Sequence, residues 1–413
     1  MVSATSGGVD AADLTRLGRR KEQQMNFVSH RRRGRAGALI LGLAAAAAIA
    51  VPASASASTG ASPVVGHVYV NDNTKGTNTI GAFDRHADGS LTPAAGSPFA
   101  AGGAGTGAGL ASQGAIQITP NGRFLIAVDA GSNQISVLRI HFDGSLSLVS
   151  VTGSGGTLPD SVAVHGHLVY VANSGAGDAN YTGFLLGFNG RLFPIPRSTV
   201  TLAANAAPGD VLFNGTGTKL AGAEVGTSVI DSFTVGFNGR LTAAPGSPFP
   251  AQGLGPFGSE FRPTDPTQLF VSNAHNVGAG TGTISAFSDS FNGTLTSIGA
   301  SPFADQQTAP CWVEITHDGR FLFTVNTGSG EISRYQIAPD GTLTLLGSTP
   351  VAATGGTGAV DARLSPDGRF LYVDESRIGK VGAFAVNGGN LTQLGTSPFA
   401  LPAGATPAGI VAS

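Results

Sequence analysis

A Gly-x-Leu pair returns seven times along this chain, at Gly89/Leu91, Gly144/Leu146, Gly190/Leu192, Gly239/Leu241, Gly293/Leu295, Gly341/Leu343 and Gly389/Leu391. Successive glycines lie 55, 46, 49, 54, 48 and 48 residues apart. That spacing is close to the roughly 40 to 50 residues of one propeller blade and well above the period of β-helices or leucine-rich solenoids. A second marker, Ser-Pro-Phe, follows six residues after the leucine at Ser97, Ser247, Ser301 and Ser397.

The clearest unit is Leu-Ser-Pro-Asp-Gly-Arg-Phe-Leu-Tyr-Val at 364–373. It reads as a β-hairpin, in which Pro-Asp-Gly turns the chain and glycine supplies φ > 0 without steric cost. Residues 380–385 give a third strand. Asn387-Gly388-Gly389-Asn390 makes a second turn, and 391–394 begins a fourth strand. Looser copies of the first hairpin stand at 119–125, 165–170, 213–220, 262–270 and 316–322. A four-stranded antiparallel sheet cannot bury both faces alone, whereas radial repetition buries them against each other and leaves only short edges. The fold class expected is therefore all-β, a seven-bladed propeller of four-stranded antiparallel blades. Blade one lacks an inner strand before residues 66–70, and 409–413 has no hairpin after it. The last residues are expected to close the ring as the innermost strand of blade one.

With 62 Gly, 23 Pro and only 12% charged residues among 413, the composition suits turn-rich β structure. Residues 1–57 differ in kind. Arg31, Arg32, Arg33 and Arg35 precede a small apolar run at 36–51 and then Ala-Ser-Ala-Ser-Ala, the layout of a signal peptide. The run is short and alanine-rich for a membrane span. The reading is a leader at 1–57, with Met25 as an alternative start, ahead of a single propeller domain at 58–413 that is exported to the cell envelope or beyond. The leader holds eight of the 23 Lys and Arg and three of the 25 Asp and Glu, leaving 15 basic and 22 acidic residues. That negative balance argues against nucleic acid or an anionic membrane as partner. A small-molecule ligand or a cell-envelope partner, and a monomer, are expected instead. Cys311 is the only cysteine, so no intrachain disulfide forms.

In such a ring the turns joining strands one to two and three to four share one face, which gathers Arg123, Arg191, Arg240, Arg320 and Arg369. The opposite, mouth face collects the starts of inner strands and the ends of second strands. Gln113, Asp160, Asp210, Glu260, Trp312 and Asp361 are its candidate substrate-binding residues, although Asp and Asn also end strands simply because they suit turns. Glu224, in Leu-Ala-Gly-Ala-Glu-Val, has apolar neighbours on both sides. Desolvation there would raise its pKa, as a general acid or base near neutrality needs. Lys75, Arg377 and Lys380 are either one anion-attracting corner where blades one and seven meet or three unrelated surface charges. No Gly-x-Ser-x-Gly, Walker or His-Glu-x-x-His motif occurs. His165-Gly-His167 falls in a hairpin turn without further ligands nearby in sequence. No metal or other cofactor is expected.

Together, Ser-Pro-Asp-Gly-Arg-Phe-Leu-Tyr-Val, Asp-Gly-Thr-Leu and Ser-Pro-Phe resemble the repeats of the seven-bladed lactonase family over residues 62–413. That family includes propeller-type 6-phosphogluconolactonase and carboxymuconate lactonizing enzyme. Surface-layer propellers with Tyr-Val-Thr-Asn repeats share the same hairpins. The resemblance implies lactone chemistry and supports Glu224 as the match to a family glutamate. Pro208-Gly209-Asp210 stands where the family carries Pro-Arg-His, and Asp160-Ser161 where a second histidine would open an inner strand. Two functions follow: an exported enzyme that opens or closes a lactone with Glu224 as acid or base, or a non-catalytic propeller serving as a ligand-binding or cell-envelope module.

Overall fold

The computed structural model describes residues 62–351 and 358–413. The expected leader and Met25 lie outside them. Apart from one 3₁₀ turn at Ala130–Ser132, every regular element among the described residues is a β-strand, and the strands form seven antiparallel sheets. No helix there is long and apolar enough to cross a membrane. The inner strands of blades two to seven are Ile116–Ile118, Pro159–His165, Pro208–Phe213, Pro256–Arg262, Pro310–Ile315 and Ala359–Leu364.

Ring closure comes from the last strand. Ile410–Ala412 pairs antiparallel with Val64–Asn71, joining Val70 to Ile410, Tyr69 to Val411 and Val68 to Ala412. Ile410 and Val411 are buried. Arg85, from the third strand of blade one, secures the end by donating from Nη2 to the Ser413 carbonyl oxygen at 3.0 Å.

The Gly-x-Leu marker has a physical cause that lies between blades. All seven marker glycines have φ between 74 and 87°, a region that L side chains rarely enter. Each also presses against the preceding blade: a Cβ on Gly144 would lie 2.2 Å from the His67 ring, and one on Gly389 2.3 Å from the Phe321 ring. The turn carbonyls then receive hydrogen bonds from that blade. Tyr69 donates to Gly144 at 3.0 Å, Tyr170 to Gly239 at 2.7 Å and Tyr372 to Gly89 at 3.1 Å. Ser150 and Ser232 do the same for Gly190 and Gly293. The tyrosine rings meanwhile fill the seams between sheets.

Ser-Pro-Phe marks a break in the outer strand. In blade one, Leu91–Pro93 and Phe99–Ala100 both pair with Thr79–His86, and the Ser97 hydroxyl between them accepts the Ala82 N–H at 2.9 Å. Ser247, Ser301 and Ser397 repeat that bond to Ser232, Ala286 and Ala383. Blades two and six lack the motif, and there the outer strands Leu146–Gly153 and Leu343–Pro350 run unbroken, with a register shift instead. Blades one, four, five and seven thus gain a short fifth strand, and blade three gains one without Ser-Pro-Phe, the Ser198 hydroxyl accepting the Gly183 N–H at 3.1 Å.

If the closing strand holds the ring, Ile410→Ala should lower unfolding stability by about 2 to 5 kcal/mol, the usual cost of emptying a buried isoleucine site. Urea titration followed by far-ultraviolet circular dichroism measures it, and a change below about 0.5 kcal/mol would contradict the closure.

Candidate functional site

On the mouth face, the blade-to-blade connections enclose a cleft of about 450 Å³ spanning blades two to five. Its walls are mostly carbon: Leu110, Ala111, Leu158, Ala207, Pro208, Val225 and Phe257, with Thr106, Ser174, Asp160 and His275 as the polar side chains. Among the described residues, no lysine or arginine lines it. Leu158 and Ala207 each precede the proline that opens an inner strand, and both have positive φ, 52° and 43°. Non-glycine residues held there cost on the order of 1 to 3 kcal/mol each, strain that tends to gather at working sites.

Asp160 opens the inner strand of blade three and is 3% exposed. Ser112 fixes its backbone by donating from Oγ to the Asp160 carbonyl oxygen at 2.7 Å. The carboxyl Oδ1 is buried and has no hydrogen-bond partner among the described residues. Burial pushes this carboxyl well above the usual range, the charge of Asp210 adds to the push, and the Ser174 hydroxyl opposes it. Asp160 therefore places a carboxyl with raised proton affinity in the wall of an apolar cleft. His275, exposed after the second strand of blade five, folds its ring over Gly255. A Cβ there would meet the imidazole at 2.5 Å, so only glycine leaves the ring this position.

A smaller hollow of about 150 Å³ lies along the axis, lined by Gln113, Asp210, Ser259, Glu260 and Arg363 among others. Polar side chains here tie distant blades together. Gln113 of blade two donates to the Ser259 carbonyl at 3.0 Å and accepts from the Val313 N–H at 2.9 Å. Asp210 accepts from the Ser259 N–H at 2.9 Å and hydroxyl at 2.7 Å. Asp361 accepts from the N–H of Gly114 and Ala362, and Glu260 from Ile315. Trp312 donates its indole N–H to the Ser112 carbonyl at 2.9 Å and meets Phe257 edge-on, so it supports the floor of the mouth cleft. Of the expected binding residues, only Asp160 reaches the cleft wall; Gln113, Asp210 and Glu260 line the axial hollow.

Glu224 is in neither wall. It ends the second strand of blade four, buried, where it accepts from the Thr227 hydroxyl. Asp231 lies beside it, receives the Tyr181 hydroxyl at 3.0 Å, and is pushed up to about 8 by burial and then by the Glu224 charge. The three basic residues have different surroundings. Lys75 lies exposed against the 105 backbone, Arg377 packs beside Gly358, and Lys380 faces Glu375.

Arg363, in mid-strand and not at a strand end, also faces the axial hollow. Its Nη1 lies 3.3 Å from Glu314 Oε2. Strand alternation carries the signal: Asp361 and Arg363 are two residues apart, as are Trp312 and Glu314, so each pair points to one side. His275 and Ser174 lie in loops, where no periodicity marks them. His165 and His167 rest against Phe213 and Phe188.

The sequence matches the family described as Lactonase, 7-bladed beta-propeller, over residues 64–182 and 262–407, well over half of the chain. The chain belongs to the seven-bladed β-propeller lactonase family. No curated protein matches it. Among solved structures, this lactonase-family propeller is similar to a protein proposed to be a 6-phosphogluconolactonase from Bacteroides uniformis, at 17% identity and TM-score 0.68, covering 85% of this chain and 100% of that one. It is also similar to PpgL, a periplasmic gluconolactonase of Pseudomonas aeruginosa, at 18% identity and TM-score 0.66, covering 84% and 98%. At these identities the likeness is one of fold.

Burial raises the proton affinity of many carboxyls of this lactonase-family chain. Asp210 and Asp72 are pushed up to about 7 and Asp361 to about 6, in each case chiefly by burial. Asp374, both of whose oxygens are buried without partners, is also raised by burial. The folded chain thus holds protons that the unfolded chain releases near pH 4, so stability falls as pH rises from about 4 through 7. The turn aspartates Asp143 and Asp340, held low by hydrogen bonds to Ser145 and Thr342, act in the opposite sense only below pH 4. The urea midpoint should be higher at pH 5 than at pH 8, by a few kcal/mol of stability. An equal or higher midpoint at pH 8 would show that these carboxyls ionise without cost.

Proposed function

We propose that this protein is an exported lactonase whose substrate is a small, unphosphorylated lactone bound in the mouth cleft. The observation that carries this reading is the buried carboxyl of Asp160, whose Oδ1 has no hydrogen-bond partner among the described residues, in an apolar cleft whose described walls hold no lysine or arginine. A phosphate would find no lysine or arginine among the described residues of these walls. A lactone carbonyl, by contrast, is polarised by a donated hydrogen bond, and the apolar walls strengthen it by excluding water. In hydrolysis, His275 takes a proton from water at the cleft rim as the oxygen bonds to the carbonyl carbon. When the ring C–O bond breaks, the departing alkoxide takes a proton from Asp160 and the imidazolium restores it. Closing a lactone runs the same steps in reverse. Glu224 serves here as a packing and hydrogen-bonding residue between blades three and four. Export is supported by the basic and small-apolar pattern of residues 31–57.

A second reading, a ligand-binding propeller without turnover, is favoured by the commitment of Gln113, Asp210 and Asp361 to hydrogen bonds that hold the ring.

Hydrolysis of a panel of five- and six-membered lactones, followed by proton release, decides between them. Asp160→Asn and His275→Gln should each lower kcat/KM on the order of 10² to 10⁴-fold, while Glu224→Gln stays within about threefold of the parent. Loss of activity in Glu224→Gln with Asp160→Asn unaffected would move the chemistry to Glu224. A parent that opens no lactone, yet shows ligand-dependent thermal stabilisation, would favour the binding module.

A further inference from the structure

The third-to-fourth-strand turns of blades two, three, four and five each carry a phenylalanine at the tip. Phe142, Phe188, Phe237 and Phe291 are exposed by 102, 79, 116 and 98%. In blades one, six and seven the same position holds Ala87, Pro339 and Asn387. The aromatic tips therefore occupy one continuous arc of four neighbouring blades, on the face opposite the mouth cleft.

The turns do not need these rings. The next residue, Asp143, Asn189, Asn238 or Asn292, accepts the N–H two residues on at 3.0 to 3.2 Å, and the following glycine supplies the positive φ. A repeated aromatic that contributes to neither the turn nor the core is apolar surface held in water.

Basic groups accompany the tips. Arg191 and Arg240 stand three residues after Phe188 and Phe237, and Arg123 lies in the first turn of blade two. Lys219 Nζ, partly buried, is 6.0 Å from the Phe291 ring. The negative formal charge that argued against an anionic membrane does not describe the surface. Of the 22 acidic residues between 62 and 413, twelve are buried, against Arg85, Lys219 and Arg262 of the 15 basic ones; with Glu260 and Arg363 set in the axial hollow, nine acidic residues, Asp143 beside Phe142 among them, and eleven basic ones are left outside it.

We propose that this face docks onto an anionic lipid surface, the four phenylalanines entering the headgroup boundary and the arginines meeting lipid phosphates. Separate tips divided by polar turns suit a fluid surface that closes around each ring, whereas a folded partner needs a contiguous complementary patch. A second copy docked face to face would bring like-charged arginine tips together. Phenylalanine also carries no polar group with which to read a glycan. Docked in this way, the protein leaves its mouth cleft open to solvent.

The test is co-sedimentation of the full chain, so that the N-terminal segment is common to every sample, with vesicles of phosphatidylglycerol and phosphatidylcholine at low ionic strength. The quadruple variant F142S/F188S/F237S/F291S should bind at least about tenfold more weakly with an unchanged melting temperature. Arg191→Ser with Arg240→Ser should flatten the salt dependence. Phe237→Trp should shift its emission to the blue on vesicles. Equal binding of the parent and the quadruple variant, no binding by the parent, or a vesicle-independent dimer abolished in the quadruple variant would each overturn the proposal, the last by assigning the face to a second copy.

Discussion

Each blade of this propeller is a sheet with two faces to cover and only its neighbours to cover them, so the seams between blades bear the fold. The seam is built around a backbone atom. A glycine in the third-to-fourth-strand turn brings its carbonyl close enough for a tyrosine or serine of the preceding blade to reach it, and any side chain at that glycine would collide with the same blade. The tyrosine contributes ring area to the seam and satisfies its own hydroxyl in one placement. Conformation and packing thus require glycine in every unit, and hydrogen bonding adds to this in five of them, while the strand sequences drift.

The axis follows a different rule. Inner strands converge there, and the gap they leave is filled by carboxyls and amides, not by branched hydrocarbons. Gln113, Asp210, Glu260 and Asp361 accept backbone N–H groups that strand pairing leaves over, so they act as hydrogen-bonding rungs across the ring. Concentrating acids in this way raises their proton affinity and leaves Arg363 as their counter-charge within the axial hollow. Above this layer the cleft wall around Asp160 and Phe257 is apolar. The chemistry proposed for the cleft depends on that contrast between a hydrogen-bonded axis and an apolar mouth.

The fold was legible because its requirements are local and repeated. Gly89 through Gly389 announce the blade count, and the orphan strand at 410–412 announces how the ring closes. The split outer strand was not foreseen: Ser-Pro-Phe is visible as a ruler, but the bond from the Ala82 N–H to Ser97 belongs to the folded edge. The candidate site was legible only in part. Asp160 stands out as an acid at a strand start, yet nothing in its neighbours shows that Oδ1 ends up buried without a partner. That depends on connections from four blades. Glu224 has apolar neighbours in sequence, but its environment is set by Asp231, across the strand pair, and by Tyr181 from another blade. Arg363 needed only the alternation of its own strand.

Because residues 410–412 supply the inner strand of the first blade, the order of synthesis runs against the order of assembly. Blade one emerges from the ribosome early but keeps an unpaired edge beside the axis until all six other blades have been made. A nascent chain can build individual hairpins as it emerges, but it cannot lock the circle. A transcript cut short before residue 410 would yield a protein with every blade begun and an open edge available for pairing with another chain.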